Sequence, residues 1–101
     1  MKWQASDGKC FWTDEALKYI AEIYKHIAED SPQNAENFLN ALMDRVEMQL
    51  SVSAEIGRIT PEFHDPKKRE IIYKKYRVLY TVSNDKQAVY ITQVQHGAKL
   101  L

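Results

Sequence analysis

Cysteine, glycine and proline are all scarce in this sequence of 101 residues, which has one cysteine, three glycines and three prolines. A lone cysteine excludes an internal disulfide framework, and Cys10 reads as a reduced core residue. So little glycine and proline, beside 45% hydrophobic residues, excludes a disordered or low-complexity chain. No apolar run approaches the roughly 20 residues needed to span a bilayer. The opening MKWQASDGKC also lacks the apolar stretch of a signal peptide. The expectation is a cytoplasmic protein with no membrane partner. At this length one domain over residues 1–101 is expected, with a single core beneath one layer of helices.

Net charge is missing too, since 14 Lys and Arg balance 14 Asp and Glu. The balance hides a polarity. From Asp14 to Glu55 nine acids face three bases, a net of −6, whereas from Arg58 to Arg77 seven bases face three acids, a net of +4. Within the basic part, REIIYKKYRVLY (Arg69 to Tyr80) interleaves cations with Tyr73, Tyr76 and Tyr80. Such a segment suits phosphates or an acidic partner, and it equally suits a plain solvated face.

KCFW, Lys9 to Trp12, reads as a short strand. Thr13 follows as a helix N-cap, with Asp14 and Glu15 in the first turn, where the helix dipole favours acids. Ala16, Leu17, Ile20, Ala21, Tyr24, Ile27 and Ala28 recur at three-and-four spacing, so the first helix runs to about Glu29. Asp30-Ser31-Pro32 restarts the chain, with Ser31 as cap and Pro32 at the first helical position. The second helix carries the stripe Ala35, Phe38, Leu39, Leu42, Met43, Val46 and Leu50, and the short connection makes an antiparallel hairpin. Gly57 to Pro66 reads as a loop. Three β-rich runs follow as a meander: about Lys68 to Tyr73, Tyr76 to Val82 and Gln87 to Val94. A turn at Ser83 to Lys86 places Tyr80 opposite Val89 and Val78 opposite Ile91.

Strand alternation assigns faces. Tyr76, Val78, Tyr80, Val82, Val89 and Ile91 share the face expected under the helices. Arg77, Leu79, Thr81, Ala88, Tyr90, Thr92, Val94 and His96 share the other, joined by Glu70 and Ile72 if Lys74-Lys75 forms the hairpin tip. The second face has no helices to cover it. Tyr90 alone would present about 150 to 250 Å², and Ile72, Leu79 and Val94 would bring the patch near the roughly 300 to 600 Å² of the largest patch on a monomer. A binding face is therefore expected there, with a dimer interface or a covering tail at Ala98 to Leu101 as the plainer alternatives.

The element order, with FWTDEALKYIAEIYKHIAEDSP, Gly57-Arg58, Pro61-Glu62, Arg69-Glu70, YRVLY at Tyr76 to Tyr80 and VQHGAKLL at Val94 to Leu101, resembles the ParE/RelE superfamily of bacterial type II toxins over about Lys9 to Leu101. The resemblance implies an α+β fold: an N-terminal strand, then an antiparallel helical hairpin on one face of a mostly antiparallel sheet that ends in a three-stranded meander. It implies a toxin neutralised by a cognate ParD-like or RelB-like antitoxin, with no cofactor, metal or small-molecule substrate.

Two activities share that fold, and fold does not choose between them. RelE-like members are ribosome-dependent endoribonucleases that cut mRNA; ParE-like members bind and stall DNA gyrase. Attack by a 2′-hydroxyl needs a proton acceptor, cations for the crowded phosphorane and an acid for the leaving oxygen. His96, Arg77 and Arg69 are the catalytic candidates for such a reaction, with Lys67 and Lys68 gripping phosphates and His64 a weaker addition. Against it, Glu70 stands where the ribonuclease branch more usually has a base, in reach of Arg77 across the hairpin. A neutral chain also suits a polyanionic target poorly, and the ending HGAKLL resembles the ParE branch. The expectation is a ParE-like gyrase inhibitor, with Arg77, Leu79, Tyr90, Thr92, Val94, His96, Lys67 and Lys68 as the surface that meets antitoxin or target. The alternatives are a RelE-like endoribonuclease and a degenerate toxin fold that binds only an antitoxin. Met1 to Gly8 extends beyond the usual start, either as an edge strand entered through Asp7-Gly8 or as a remnant outside the domain.

Overall fold

Thr13 ends the first strand and begins the first helix. In the computed structural model, which describes residues 10–97, its Oγ1 accepts from the amide of Ala16 at 3.1 Å and donates to the carbonyl of Ile91 at 2.7 Å. One hydroxyl thus caps the helix and ties it to the sheet. The elements are β1 (Cys10–Trp12), α1 (Asp14–Ala28), α2 (Pro32–Val52), β2 (Arg58–Ile59), β3 (Lys68–Tyr73), β4 (Tyr76–Val82) and β5 (Val89–His96). Ser31 Oγ accepts from the amide of Asn34 at 3.1 Å, and Pro32 opens α2, where its missing N–H costs nothing. Among the described residues no helix is long and apolar enough to cross a membrane.

The sheet order is β1-β5-β4-β3-β2. β1 pairs parallel with β5, and the other neighbours are antiparallel. Two helices lie on one face of this five-stranded sheet, the expected α+β arrangement. Ala16, Leu42, Met43 and Val46 of the helices meet Val78, Tyr80, Val82 and Ile91 of the sheet in the core. On α1 the buried stripe is rotated from the expected one. Tyr19, Ile20 and Ile23 pack against the core, while Leu17 and Tyr24 face outward. Apolar residues occupy more than one helical stripe here, and packing against α2 and β5 selects among them.

The segment read as a loop contains β2, whose Arg58 and Ile59 pair with Glu70 and Arg69. Two residues are too few to show a period. The expected two-residue tip is present, with Tyr73 opposite Tyr76 and Lys74 at φ 54°, so Glu70 and Ile72 do join Arg77 on the face away from the helices.

The β4–β5 register differs from the expected one. Residues 83–88 form the connection. Its ends are joined by the Ser83 amide to the Ala88 carbonyl at 2.9 Å and by the Ala88 amide to Ser83 Oγ at 3.1 Å. Inside it, Asp85 accepts from Ser83 Oγ and from the Gln87 amide, which holds its carboxyl below the ordinary value. This longer turn moves the pairing by two residues, so that Tyr80 faces Ile91 and Val82 faces Val89. A shift of two keeps every side chain on its expected face.

A second irregularity does not. Leu79 pairs with Gln93 while Tyr80 pairs with Ile91, so Thr92 is an extra residue in β5. Such a bulge reverses the alternation beyond it. Val94 consequently sits in the core, and His96 pairs opposite Tyr76 on the helix side. The expectation that Val94 and His96 share a face with Arg77 is overturned.

The bulge gives a direct stability test. Val94→Ala is expected to cost about 2 kcal/mol in urea unfolding, the loss of two buried carbons plus the space they leave. A cost near zero would put Val94 back on an outer face.

Candidate functional site

β3 and β4 bring Glu70, Arg77 and Leu79 together on the face away from the helices, and that face is not bare. Residues 60–67 cross it as a strap. The strap is joined to β3 by the Thr60 amide to the Lys68 carbonyl at 2.9 Å and turns back through the Lys68 amide to the Asp65 carbonyl at 2.8 Å. Beneath it Leu79 is buried, beside a cavity of about 210 Å³ that Thr60, Phe63 and Thr92 also line.

Glu70 is 1% exposed, and a carboxylate removed from water needs cationic partners. It has two. Arg77 donates to Oε1 from Nε at 3.0 Å and from Nη2 at 2.6 Å, and Arg58, directly opposite on β2, donates to Oε2 from Nε at 2.5 Å. The outer side of Arg77 is filled by Glu62 of the strap, with Nη1 to Oε2 at 3.1 Å and Nη2 to Oε1 at 2.8 Å. The result is an alternating row, Arg58, Glu70, Arg77, Glu62. Its hydrogen bonds to Glu62 and then to Glu70 push the Arg77 guanidinium further above its ordinary pKa. The same Arg77 contact holds Glu62 below its ordinary 4.5.

Arg69 is occupied in another way. Its Nε donates to the Pro66 carbonyl at 2.8 Å, and its Nη1 donates to the carbonyls of Gly57 at 2.9 Å and Glu55 at 3.1 Å. Tyr80 works alongside, donating to the Ala54 carbonyl at 2.9 Å and accepting from the Gly57 amide at 2.9 Å. Burial pushes its phenol pKa up. Gly57 must be glycine, because a Cβ there would lie 2.5 Å from the Glu70 carbonyl oxygen.

His96 lies on the opposite side, edge-on to Tyr76 with ring centroids 5.1 Å apart. It lines a cleft of about 430 Å³ with Tyr19, Glu22 and His26 of α1. The structure therefore does not bring His96, Arg77 and Arg69 together. The sheet separates His96 from Arg77, and both arginines already hold internal partners.

The expected binding surface is corrected likewise. Leu79, Val94 and Arg77 are buried, the first under the strap, the second by the bulge, the third between two carboxylates. Tyr90 remains exposed and stacks on Phe11 at 5.4 Å and 19°, a pairing created by the parallel register of β1 and β5. Thr92 is half-buried at the bulge. Lys67 donates to Asn84 Oδ1, and Lys68 lies 5.4 Å from the Phe63 ring centroid. The sequence alone assigns no role to Phe11, and Arg58 and Glu62 stand in it only as motif residues. Their charges were visible; their convergence depends on the strap.

Two outcomes test the network. Glu70→Gln is expected to cost about 3–5 kcal/mol in chemical denaturation, because two guanidiniums lose a buried carboxylate. Glu62→Gln, at the exposed rim, should cost clearly less. The strap should also respond to acid in one direction. Glu62 titrates below 4.5 in the folded chain, so its ion pair is complete above 4.5 and is lost as the pH falls through that lower value. The protection factors of the Thr60, Phe63 and His64 amides are expected to hold from neutral pH down to 4.5 and to fall only below it.

Comparison with known proteins places this geometry. A family model described as ParE toxin of type II toxin-antitoxin system, parDE, matches residues 10–101. None of the curated proteins compared with the chain matches it. Among solved structures, the chromosomal ParDE toxin-antitoxin system of P. aeruginosa is similar at 18% identity and TM-score 0.71, covering 88% of this chain and 95% of that one. The RelBE2 complex of Mycobacterium tuberculosis is similar at 13% identity and TM-score 0.56, covering 87% and 95%. An E. coli RelE double mutant bound to a RelB antitoxin peptide is similar at 19% identity and TM-score 0.54, covering 91% and 84%. At these identities the solved structures bear on fold, and the family-model match over nearly the whole chain carries the assignment: this chain belongs to the ParE toxin family of type II toxin-antitoxin systems.

Proposed function

We propose that this toxin acts without catalysis, by binding and stalling DNA gyrase, and that a cognate ParD-like antitoxin holds it inactive in the cytoplasm. The observation that carries the reading is the dispersal of the groups an endoribonuclease would need. General acid–base cleavage of RNA requires a proton acceptor, a proton donor and a cation within hydrogen-bond reach of one phosphate. Arg77 faces Glu70 and Glu62, Arg69 faces backbone carbonyls, and His96 stands across the sheet. The zero net charge supports the same reading, since a ribosome-bound nuclease must compete in salt for a dense polyanion.

The antitoxin follows from the family and from the neighbours, which include the P. aeruginosa ParDE system and complexes of RelE toxins with RelB partners. The surfaces that suit it are those left uncovered: the stacked Phe11 and Tyr90, and the outward Leu17 and Tyr24 of α1. A partner segment would cover them by helix docking or strand addition.

Purified protein assayed side by side in gyrase supercoiling and in programmed-ribosome cleavage separates the readings. Inhibited supercoiling with intact mRNA is expected. In cells, His96→Ala should retain toxicity and the DNA-damage response. Immediate translation arrest that His96→Ala abolishes would replace this reading with the endoribonuclease one, and no toxicity from the wild type would favour a fold that only binds its antitoxin.

A further inference from the structure

Glu62 occupies Arg77 in the way a ligand would. Both carboxylate oxygens face the guanidinium fork at 2.8 and 3.1 Å, the two-pronged geometry in which arginine reads carboxylates. Glu62 is also the exposed member of the row, with 39% of its side chain accessible against none of Glu70. It comes from a strap rather than a strand, so moving it breaks no sheet ladder.

Around this contact lies a cleft of about 460 Å³ lined by Arg58, Pro61, Ile72, Lys75 and Gly97. Lys74 and Lys75 are exposed, Arg58 is 58% exposed at its side chain, and Ile72 is 49% exposed. With Glu62 withdrawn, Arg58 and Arg77 share a single carboxylate, Glu70, and Lys75 adds a third cation at the rim of the cleft. The buried Arg77 charge would then need a new anion.

We propose that this cleft is a carboxylate-reading site for an acidic, partly apolar peptide segment of a protein partner, and that Glu62 is a built-in competitor the partner must displace. The apolar wall of Ile72 and Pro61 selects the occupant, because it matches an aliphatic side chain beside an acid and offers nothing to a phosphodiester backbone. Displacing Glu62 exchanges one carboxylate for another at Arg77, so the core network keeps its charge balance. An internal competitor lowers apparent affinity by the fraction of molecules in which it holds the site. The inference stands whether or not gyrase is the target.

The test is an NMR titration of the intact chain with a short synthetic peptide of alternating Glu and Leu. A Gln-for-Glu version of the peptide and a single-stranded oligo-dT serve as the other arms. Saturable shifts at the amides of Ile72, Lys74, Lys75 and Gly97 are expected with the Glu peptide. Glu62→Gln keeps the shape of the latch but removes its charge, and should tighten that binding about three- to tenfold. Lys75→Glu, which leaves the latch intact, should weaken it by a similar factor. Equal binding of the Gln peptide, an affinity unchanged by Glu62→Gln, or oligo-dT competing as well as the acidic peptide would each overturn the proposal, the last in favour of a phosphate site.

Discussion

A carboxylate buried on the helix-free side of a one-layer fold is the constraint from which much of this molecule follows. Glu70 stands on β3, one strand in from the sheet edge, and water would ordinarily reach that face. Once the strap covers it, Glu70 is stable only as part of an ion network. Its two oxygens draw Arg58 and Arg77 from the flanking strands. Arg58 must then lie opposite Glu70, which is the register that makes β2 a strand at all. Arg77 has donors left over, and Glu62 takes them, fastening the strap that created the burial. The cover and the charges beneath it each require the other.

That reciprocity bears on function through what it uses up. The segment that is most basic in sequence spends Arg77, Arg58 and Arg69 on internal oxygens, and Glu62 returns a negative charge to the surface above them. Beside the half-exposed Arg58, the cations of this segment that face solvent are lysines at the edges, Lys67 and Lys68 near the strap and Lys74 and Lys75 at the hairpin tip. Lysine ammonium groups attract anions without fixing their geometry, whereas the arginines that would orient a phosphate are already oriented toward carboxylates and carbonyls.

The bulge at Thr92 is the second device that shapes the surface. By inserting one residue into β5 it sends Val94 into the core and turns His96 toward Tyr76, on the α1 side. It separates two residue types that would look like a catalytic pair if alternation ran unbroken. The same strand keeps Tyr90 outward, before the bulge, where Phe11 stacks upon it.

Local chemistry in the sequence determined the helix starts at Thr13 and Ser31, the strands β3 and β4 and the α+β layering, because caps, prolines and periodicity act within a few residues of themselves. It placed Glu70 and Arg77 on one face only on the condition of a two-residue tip at Lys74-Lys75, and the observed pairing of Tyr73 with Tyr76 meets that condition. Only the tertiary structure decided which stripe of α1 is buried, the longer turn before β5, the extra residue at Thr92, and the strap that hides Leu79 and engages Arg77. Those features arise from contacts between segments far apart in the chain, and a period of two or 3.6 residues carries no record of an inserted residue or of a loop folding back across a sheet.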